Sequence, residues 1–168
     1  MKIVYSNNSP LGYWSMIPIA EEAYRLFLAG DCSHEEMLTK HCLGWSAIDH
    51  SRAYIYIVGA VVPDPGPRAR VMLDWLKLIA DLLQGITIKG FCGYPSREAG
   101  YKLFEKFGFT KSELRIDDEP IFFLDNDGIS QLAVAVEREL ESKQSRIPLW
   151  NMEDKRKFYQ TLKVRKYR

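Results

Sequence analysis

Ten consecutive positions, Ala53 to Val62, carry no charge, and nearly all are β-branched, aromatic or small. That composition predicts a strand buried on both faces. Pro63, Asp64, Pro65, Gly66 and Pro67 break it sharply. The period then changes: Met72, Trp75, Leu76, Ile79 and Leu83 fall on one stripe opposite Asp74 and Lys77, predicting an amphipathic helix over Arg70–Leu83 closed by Gly85. Ile86–Phe91 reads as a second strand, and Ser96 as the cap of a helix running to Phe107 and ended by Gly108. An uncharged run, an amphipathic helix and another apolar run in succession predict two neighbouring parallel strands joined by that helix.

The flanks carry weaker patterns. Lys2–Tyr5 reads as a short strand ended by Asn7, Asn8, Ser9 and Pro10. Ile17, Ala20, Tyr24, Phe27 and Leu28 recur at helical spacing within Trp14–Leu28, and Gly30 punctuates them. Ser33 with Glu36 makes a capping box, so a second helix is expected from His34 to about Leu43, with Gly44 after it. Only Gly44–Arg52 then remains before the uncharged strand, room for one short strand. Ile121–Leu124 is a strand candidate and Asn126-Asp127-Gly128 a turn. Ile129, Leu132, Ala133, Val136 and Leu140 mark a last amphipathic helix. The sum is an α/β (α+β) chain with a single domain over residues 1–143, a mixed central sheet flanked by helices, and a basic C-terminal extension over 144–168.

Composition changes this picture little. With 168 residues, 46% hydrophobic and 27% charged, the chain suits one compact globular domain. No apolar run approaches the ~20 residues of a membrane-spanning helix. Met1–Tyr13 lacks the apolar core of a secretory leader. Cys32, Cys42 and Cys92 are widely spaced, and His34, His41 and His50 form no metal-binding pattern, so reduced cysteines, a cytoplasmic location and no metal are expected. The net charge of +1 hides an asymmetry: Glu113–Asp154 is mostly acidic, whereas Lys155, Arg156, Lys157, Lys163, Arg165, Lys166 and Arg168 crowd the end. Such a tail suits an acidic partner, a polyanion or the acidic segment of its own chain.

Chemistry enters through the order of parts. A turn that opens a helix directly after a strand presents free backbone N–H groups to an anion, and nearby arginines add charge. A pyrophosphate-bearing cofactor fits such a place; a plain strand–helix connection is the alternative. The stretch from Ala99 to Phe109, Ala-Gly-Tyr-Lys-Leu-Phe-Glu-Lys-Phe-Gly-Phe, resembles the helix ending Ala-x-x-Leu-Tyr-Glu-Lys-x-Gly-Phe of the GNAT superfamily of N-acetyltransferases. The preceding segments are similar, in order and spacing, to that family's fourth strand, third helix and fifth strand, so the cofactor half falls at about 53–125.

The resemblance implies acetyl-CoA, or another acyl-CoA, as cosubstrate and an amine acceptor that attacks the thioester directly. The backbone of Ile57, Val58, Ala60, Val61 and Val62 would then line the pantetheine, and Gly66, Arg68, Ala69, Arg70 and Val71 the pyrophosphate. His50 and Asp49, just before the strand, are candidates for taking the amine's proton, and Tyr101 for protonating the leaving thiolate. The chain departs from the family at the phosphate turn, where Pro67 supplies no N–H, and at Phe104, which stands where the family often has its tyrosine acid. Two other readings stay open: a GNAT-like fold kept as a binding or regulatory module, and a nucleic-acid-associated protein using the basic tail, where Phe158, Tyr159 and Tyr167 interleave with Lys and Arg. Homodimerisation is left open as well.

Overall fold

The computed structural model describes residues 2–6, 9–61 and 68–144. β1 (Lys2–Ser6) and β2 (Ser9–Ile19) form an antiparallel hairpin, followed by α1 (Glu21–Ala29) and α2 (His34–Lys40). Next come β3 (Ala53–Val61), α3 (Arg68–Gly85) and β4 (Ile88–Gly93). α4 (Glu98–Lys106), the hairpin of β5 (Thr110–Ile116) with β6 (Glu119–Leu124), and α5 (Asn126–Gln144) complete the described chain. The strands make one mixed six-stranded sheet ordered β1-β2-β3-β4-β6-β5. Only β3 and β4 are parallel, and α3 is the crossover between them, as the alternation of patterns predicts. No helix among the described residues is long and apolar enough to cross a membrane.

Side-chain alternation along the central strands divides the core into two layers. Ile55 and Ile57 of β3 and Phe91 of β4 face α3, α4 and α5, where Val71, Trp75, Leu76, Ile79, Phe104, Leu132 and Val136 are buried against them. Tyr56 of β3 and Cys92 of β4 face the opposite way, onto Ala23, Tyr24 and Phe27 of α1 and Met37 of α2. α1 sits close to the sheet because Gly90 makes room: a Cβ there would lie 2.6 Å from the Tyr24 ring. The Tyr24 hydroxyl reaches past it to donate to the Leu124 carbonyl at 3.0 Å, tying α1 to the end of β6. On the other layer the Trp14 indole N–H donates to Asp74 of α3 at 3.2 Å, which fixes α3 against β2.

Several boundaries differ from the pattern-based expectation. The stretch from Trp14 to Ile19 belongs to β2, and the helix begins only at Glu21. Its apolar positions serve period two: Trp14 and Met16 enter one core layer, and Ile17 and Ile19 the other. Pro18 is tolerated there because β1 pairs with β2 only as far as Trp14, so no strand among the described residues calls on its missing N–H; the segment after α2 uses only its carbonyl, which accepts from the Leu43 N–H at 2.9 Å. α2 has the predicted capping box, but it stops at Lys40, and Cys42 bridges to Ile19 instead of continuing the helix. Gly85 is the last residue of α3 instead of following it. α4 is entered through Arg97 with no side-chain cap, so Ser96 does not cap it. Asn126-Asp127-Gly128 is the first turn of α5, with the Asp125 carboxylate accepting from the Gly128 N–H at 3.1 Å. β5 escaped the pattern altogether because most of it is exposed and Lys111, Glu113 and Arg115 interrupt it with charge, as suits a sheet edge. Residues 62–67 of the expected phosphate turn, and the basic extension from 145 on, lie outside the described residues.

Candidate functional site

β3 and β4 pair at five positions, from Ala53↔Ile88 to Ile57↔Gly93. Beyond that rung β3 runs on through Val58, Gly59, Ala60 and Val61, paired on its other side with β2 up to Tyr13↔Val61. β4 stops at Gly93, and Tyr94 and Pro95 follow; proline has no N–H for a ladder. The sheet therefore holds a notch in which one edge of β3 is unpaired among the described residues, the arrangement that lets an extended ligand add as a strand. Val58 lies at a bulge, since Ser15 opposes Gly59 and Met16 opposes Ile57. Gly93 allows the closing rung: a Cβ on it would lie 2.8 Å from the Ile57 carbonyl oxygen. The same point in space is 3.5 Å from the tip of the Phe104 ring, so α4 presents Phe104 to the root of the notch.

On the α1/α2 face of the sheet, beside the same rung, polar and aromatic groups converge. Tyr56 precedes the last paired residue of β3, and its hydroxyl meets Nδ1 of His34 at 2.6 Å. Tyr94, the residue after β4, packs edge-on to the His34 ring at 5.4 Å and stacks on Phe27 at 6.4 Å. The capping box of α2 puts His34 there, because Ser33 fixes the entry of the helix and His34 is its first residue. Burial pushes the Tyr56 phenol well up, so it stays protonated, and it pushes the His34 imidazole down toward the neutral form. Asp117 draws His34 the other way and, after burial, raises Tyr94. Asp117 and Asp118 form the β5–β6 turn, both with positive φ (51° and 65°), as a two-residue hairpin turn requires. Cys92, fully buried beside Tyr56 in this layer, has its thiol pushed far up and is inert as a nucleophile.

The residues singled out from sequence fall in three places. Ile57 and Val58 flank the notch, with Ile57 buried in the α3 layer and Val58 half-buried on the α1 side; Ala60 and Val61 continue the free edge. Arg68, Ala69, Arg70 and Val71 form the first turn of α3, whose leading N–H groups have no partner within the helix. Val71 has its side chain fully in the core, so its backbone alone is available to a ligand there. Val62 and Gly66 lie outside the described residues. His50 and Asp49 sit at the far end of β3, roughly 17 Å of strand from Val58 at 3.3 Å per residue. The Asp49 carboxylate accepts from the Ser51 hydroxyl and N–H at 2.7 and 2.9 Å, which lowers its pKa. Asp49 lines a separate cleft of about 310 Å³ with Glu21, Ile48, Arg52 and Tyr54. The structure does not bring His50 and Asp49 to the notch. Tyr101 donates its hydroxyl to Glu119 and stacks on Phe122 at 6.0 Å, and that hydrogen bond raises its pKa.

Sequence reasoning missed His34 and Tyr56. The usable signal was the capping box, which sets His34 at a helix start, together with the alternation that sends Tyr54, Tyr56 and Val58 to one face. Among the described residues no three His, Cys, Asp or Glu side chains gather as a metal site.

No family model and no curated protein matches this chain. Among solved structures, an uncharacterized protein from Bacillus halodurans is similar at 11% identity over 79% of this chain, with a TM-score of 0.38, and the chain spans 62% of that protein's length. A domain from Methanocaldococcus jannaschii is similar at 14% identity over 68% of this chain and 99% of the domain, with a TM-score of 0.34. Both TM-scores lie below 0.5, and neither likeness bears on what the chain does.

Proposed function

We propose that the chain is an acyl-CoA-dependent N-acyltransferase of the GNAT type, acting through direct attack of an amine on the thioester. One observation carries the reading: two adjacent parallel strands joined by a helix pair for five rungs and then part at Ile57 and Gly93, leaving an edge of β3 unpaired among the described residues. A pantetheine arm laid along Val58–Val61 would complete that edge with main-chain hydrogen bonds. The first turn of α3 would take the pyrophosphate on its free N–H groups, assisted by Arg68 and Arg70. The resemblance in Ala99–Phe109 fits the same picture, since α4 ends at Lys106 and Gly108 takes a left-handed φ of 78° before Phe109. The N-terminal half follows its own order: two strands precede α1 and α2, where a complete family member has two strands after its second helix.

A second reading, a GNAT-type fold retained as an acyl-CoA-binding or regulatory module, is favoured by Phe104 at the root of the notch and by Tyr101 being engaged with Glu119. A thiol with an ordinary pKa of ~8.5 leaves without much help, so the missing acid does not by itself exclude turnover. Thermal shift tests the shared premise. Acetyl-CoA at ~100 times its dissociation constant adds about 2.7 kcal/mol, which for this chain length raises the melting temperature by about 5–10 °C. The double variant Arg68→Glu, Arg70→Glu is expected to lose most of that shift. A parent protein that shows no shift with millimolar acetyl-CoA sinks both readings. Amine-dependent release of free thiol separates enzyme from module.

A further inference from the structure

We propose that His34 is a neutral hydrogen-bond donor, fixed by Tyr56 as its Nε2–H tautomer, to the carbonyl oxygen of a thioester lying in the notch between β3 and β4. The inference rests on the acyl-CoA reading and adds to it a catalytic residue from α2 and a positioning residue from β3.

The tautomer follows from hydrogen-bond accounting. Tyr56 is 1% exposed, and His34 Nδ1, at 2.6 Å, is the partner its hydroxyl has among the described residues. A phenol that donated to Nδ1 is satisfied. A phenol that accepted from Nδ1–H would keep its own hydrogen in the core without a partner, at a cost of about 1–3 kcal/mol. The first arrangement wins, so Nδ1 accepts and Nε2 carries the hydrogen. Protonating the ring would force the costly arrangement, which reinforces the effect of burial in keeping His34 neutral. The titratable groups that face the ring from other elements are Tyr56 of β3, Tyr94 after β4 and Asp117 of the β5–β6 turn. Of these, the Asp117 carboxylate works against neutrality, and burial outweighs it.

The position follows from the register. Tyr56 pairs with Cys92, one rung before the strands part, and Tyr94 lies one residue past the last rung. A ring held between these two tyrosines sits over the root of the notch, on the face opposite Phe104. His34 is half-buried, and Nε2 has no hydrogen-bond partner among the described residues. A neutral imidazole N–H is a donor that does not surrender its proton, so its part is electrostatic. The amine lone pair forms the C–N bond while the carbonyl π pair moves onto oxygen, where Nε2–H binds it. Collapse breaks the C–S bond, the electron pair leaves on sulfur, and the surplus proton on nitrogen passes through solvent to the thiolate. Amide and free thiol result, with no proton exchanged by His34.

Imidazole 15N–1H correlation spectra of the full chain test this, with His34→Gln identifying the His34 signals among those of the three histidines. The expected spectrum has a protonated Nε2 and an acceptor-type Nδ1 that persist from pH 8 down through the usual histidine pKa of ~6.5, because burial lowers the His34 pKa. Tyr56→Phe should release Nδ1, mix the tautomers and move His34 protonation to higher pH, a change that loss of packing alone does not produce. Acetyl-CoA should shift the Nε2–H proton downfield, and coenzyme A without its acyl group should leave it in place. An Nδ1–H tautomer, or calorimetric binding of acetyl-CoA with no change at Nε2–H, overturns the proposal while the acyl-CoA reading stands. Failure of acetyl-CoA to bind at millimolar concentration overturns both.

Discussion

Gly93→Ala puts the geometry of the notch under direct strain. The new Cβ would lie 2.8 Å from the Ile57 carbonyl oxygen and 3.3 Å from the Ile57 Cβ. Comfortable carbon–oxygen contacts begin at about 3.3 Å, so the last rung must open by roughly half an ångström. Side-chain rotation cannot relieve this, because the opposing atom is backbone and β3 is held on its far side by β2 at Met16↔Ile57. Overpacking of this kind costs about 1–3 kcal/mol. At an m-value of about 2 kcal/mol/M, a 2 kcal/mol loss lowers the urea midpoint by about 1 M. Gly85→Ala is the control with the opposite sign. It ends α3 with no atom within 4 Å of an added Cβ and no left-handed φ, so alanine there is expected to stabilise by about 0.5–1 kcal/mol. Urea unfolding of the three proteins decides the matter. A Gly93→Ala protein within about 0.5 kcal/mol of the parent, the range of an ordinary surface change, would refute the close approach of β3 and β4.

The capping box and the cysteines give further outcomes. The Glu36 carboxyl is held at about 2, below the usual 4.5, first by its hydrogen bond to Lys40 and then by the Ser33 N–H. A lowered folded-state pKa contributes stability that is present above the unfolded value and lost as pH falls through the folded one. Its contribution should therefore fade between about pH 4.5 and about pH 2, seen as a low carboxyl titration in 13C spectra. Ser33→Ala should shift that titration upward and cost about 1 kcal/mol of stability. Cys42 is exposed, whereas Cys32 and Cys92 are buried with thiols pushed up. A chromogenic disulfide reagent at neutral pH should label Cys42 quickly and the other two only on unfolding; rapid labelling of Cys92 would contradict its place beneath α1.

The centre of the fold was legible because its elements have unmixed signals. Ala53–Val61 is uncharged throughout, and α3 keeps one apolar stripe, so strand, crossover and parallel neighbour followed from periodicity alone. Periodicity failed where it was ambiguous or absent. Ile17 suited a helix by spacing, and only pairing with β3 assigned it to a strand. β5 carries its charges at a sheet edge, where no buried face imposes alternation. The candidate site divides in the same way. The uncharged run of β3 was visible in composition, but the second strand read from its apolar residues as Ile86–Phe91 is Ile88–Gly93, so the rung at which β3 outlasts it came only from the pairing register. His34 and Tyr56 are 22 positions apart, and their contact depends on how α2 lies across the sheet, which no local pattern encodes. His50 looked suitable by residue type and by nearness in sequence to β3, but nearness to the wrong end of a strand places it far from the notch.

Backbone hydrogen exchange with and without acetyl-CoA examines the central claim most directly. Laid along the free edge as an added strand, the pantetheine should slow exchange of amides within Val58–Val61 that β2 does not already bond, and of the leading amides of α3 from Arg68 to Val71. Exchange along α5, which supplies no backbone to the free edge or to the first turn of α3, should change only as far as global stabilisation requires. Protection confined to β3 and the start of α3 is the predicted result. Saturating acetyl-CoA that leaves Val58–Val61 exchanging at the unliganded rate, or that protects the cleft around Asp49 and Arg52 instead, would contradict the account.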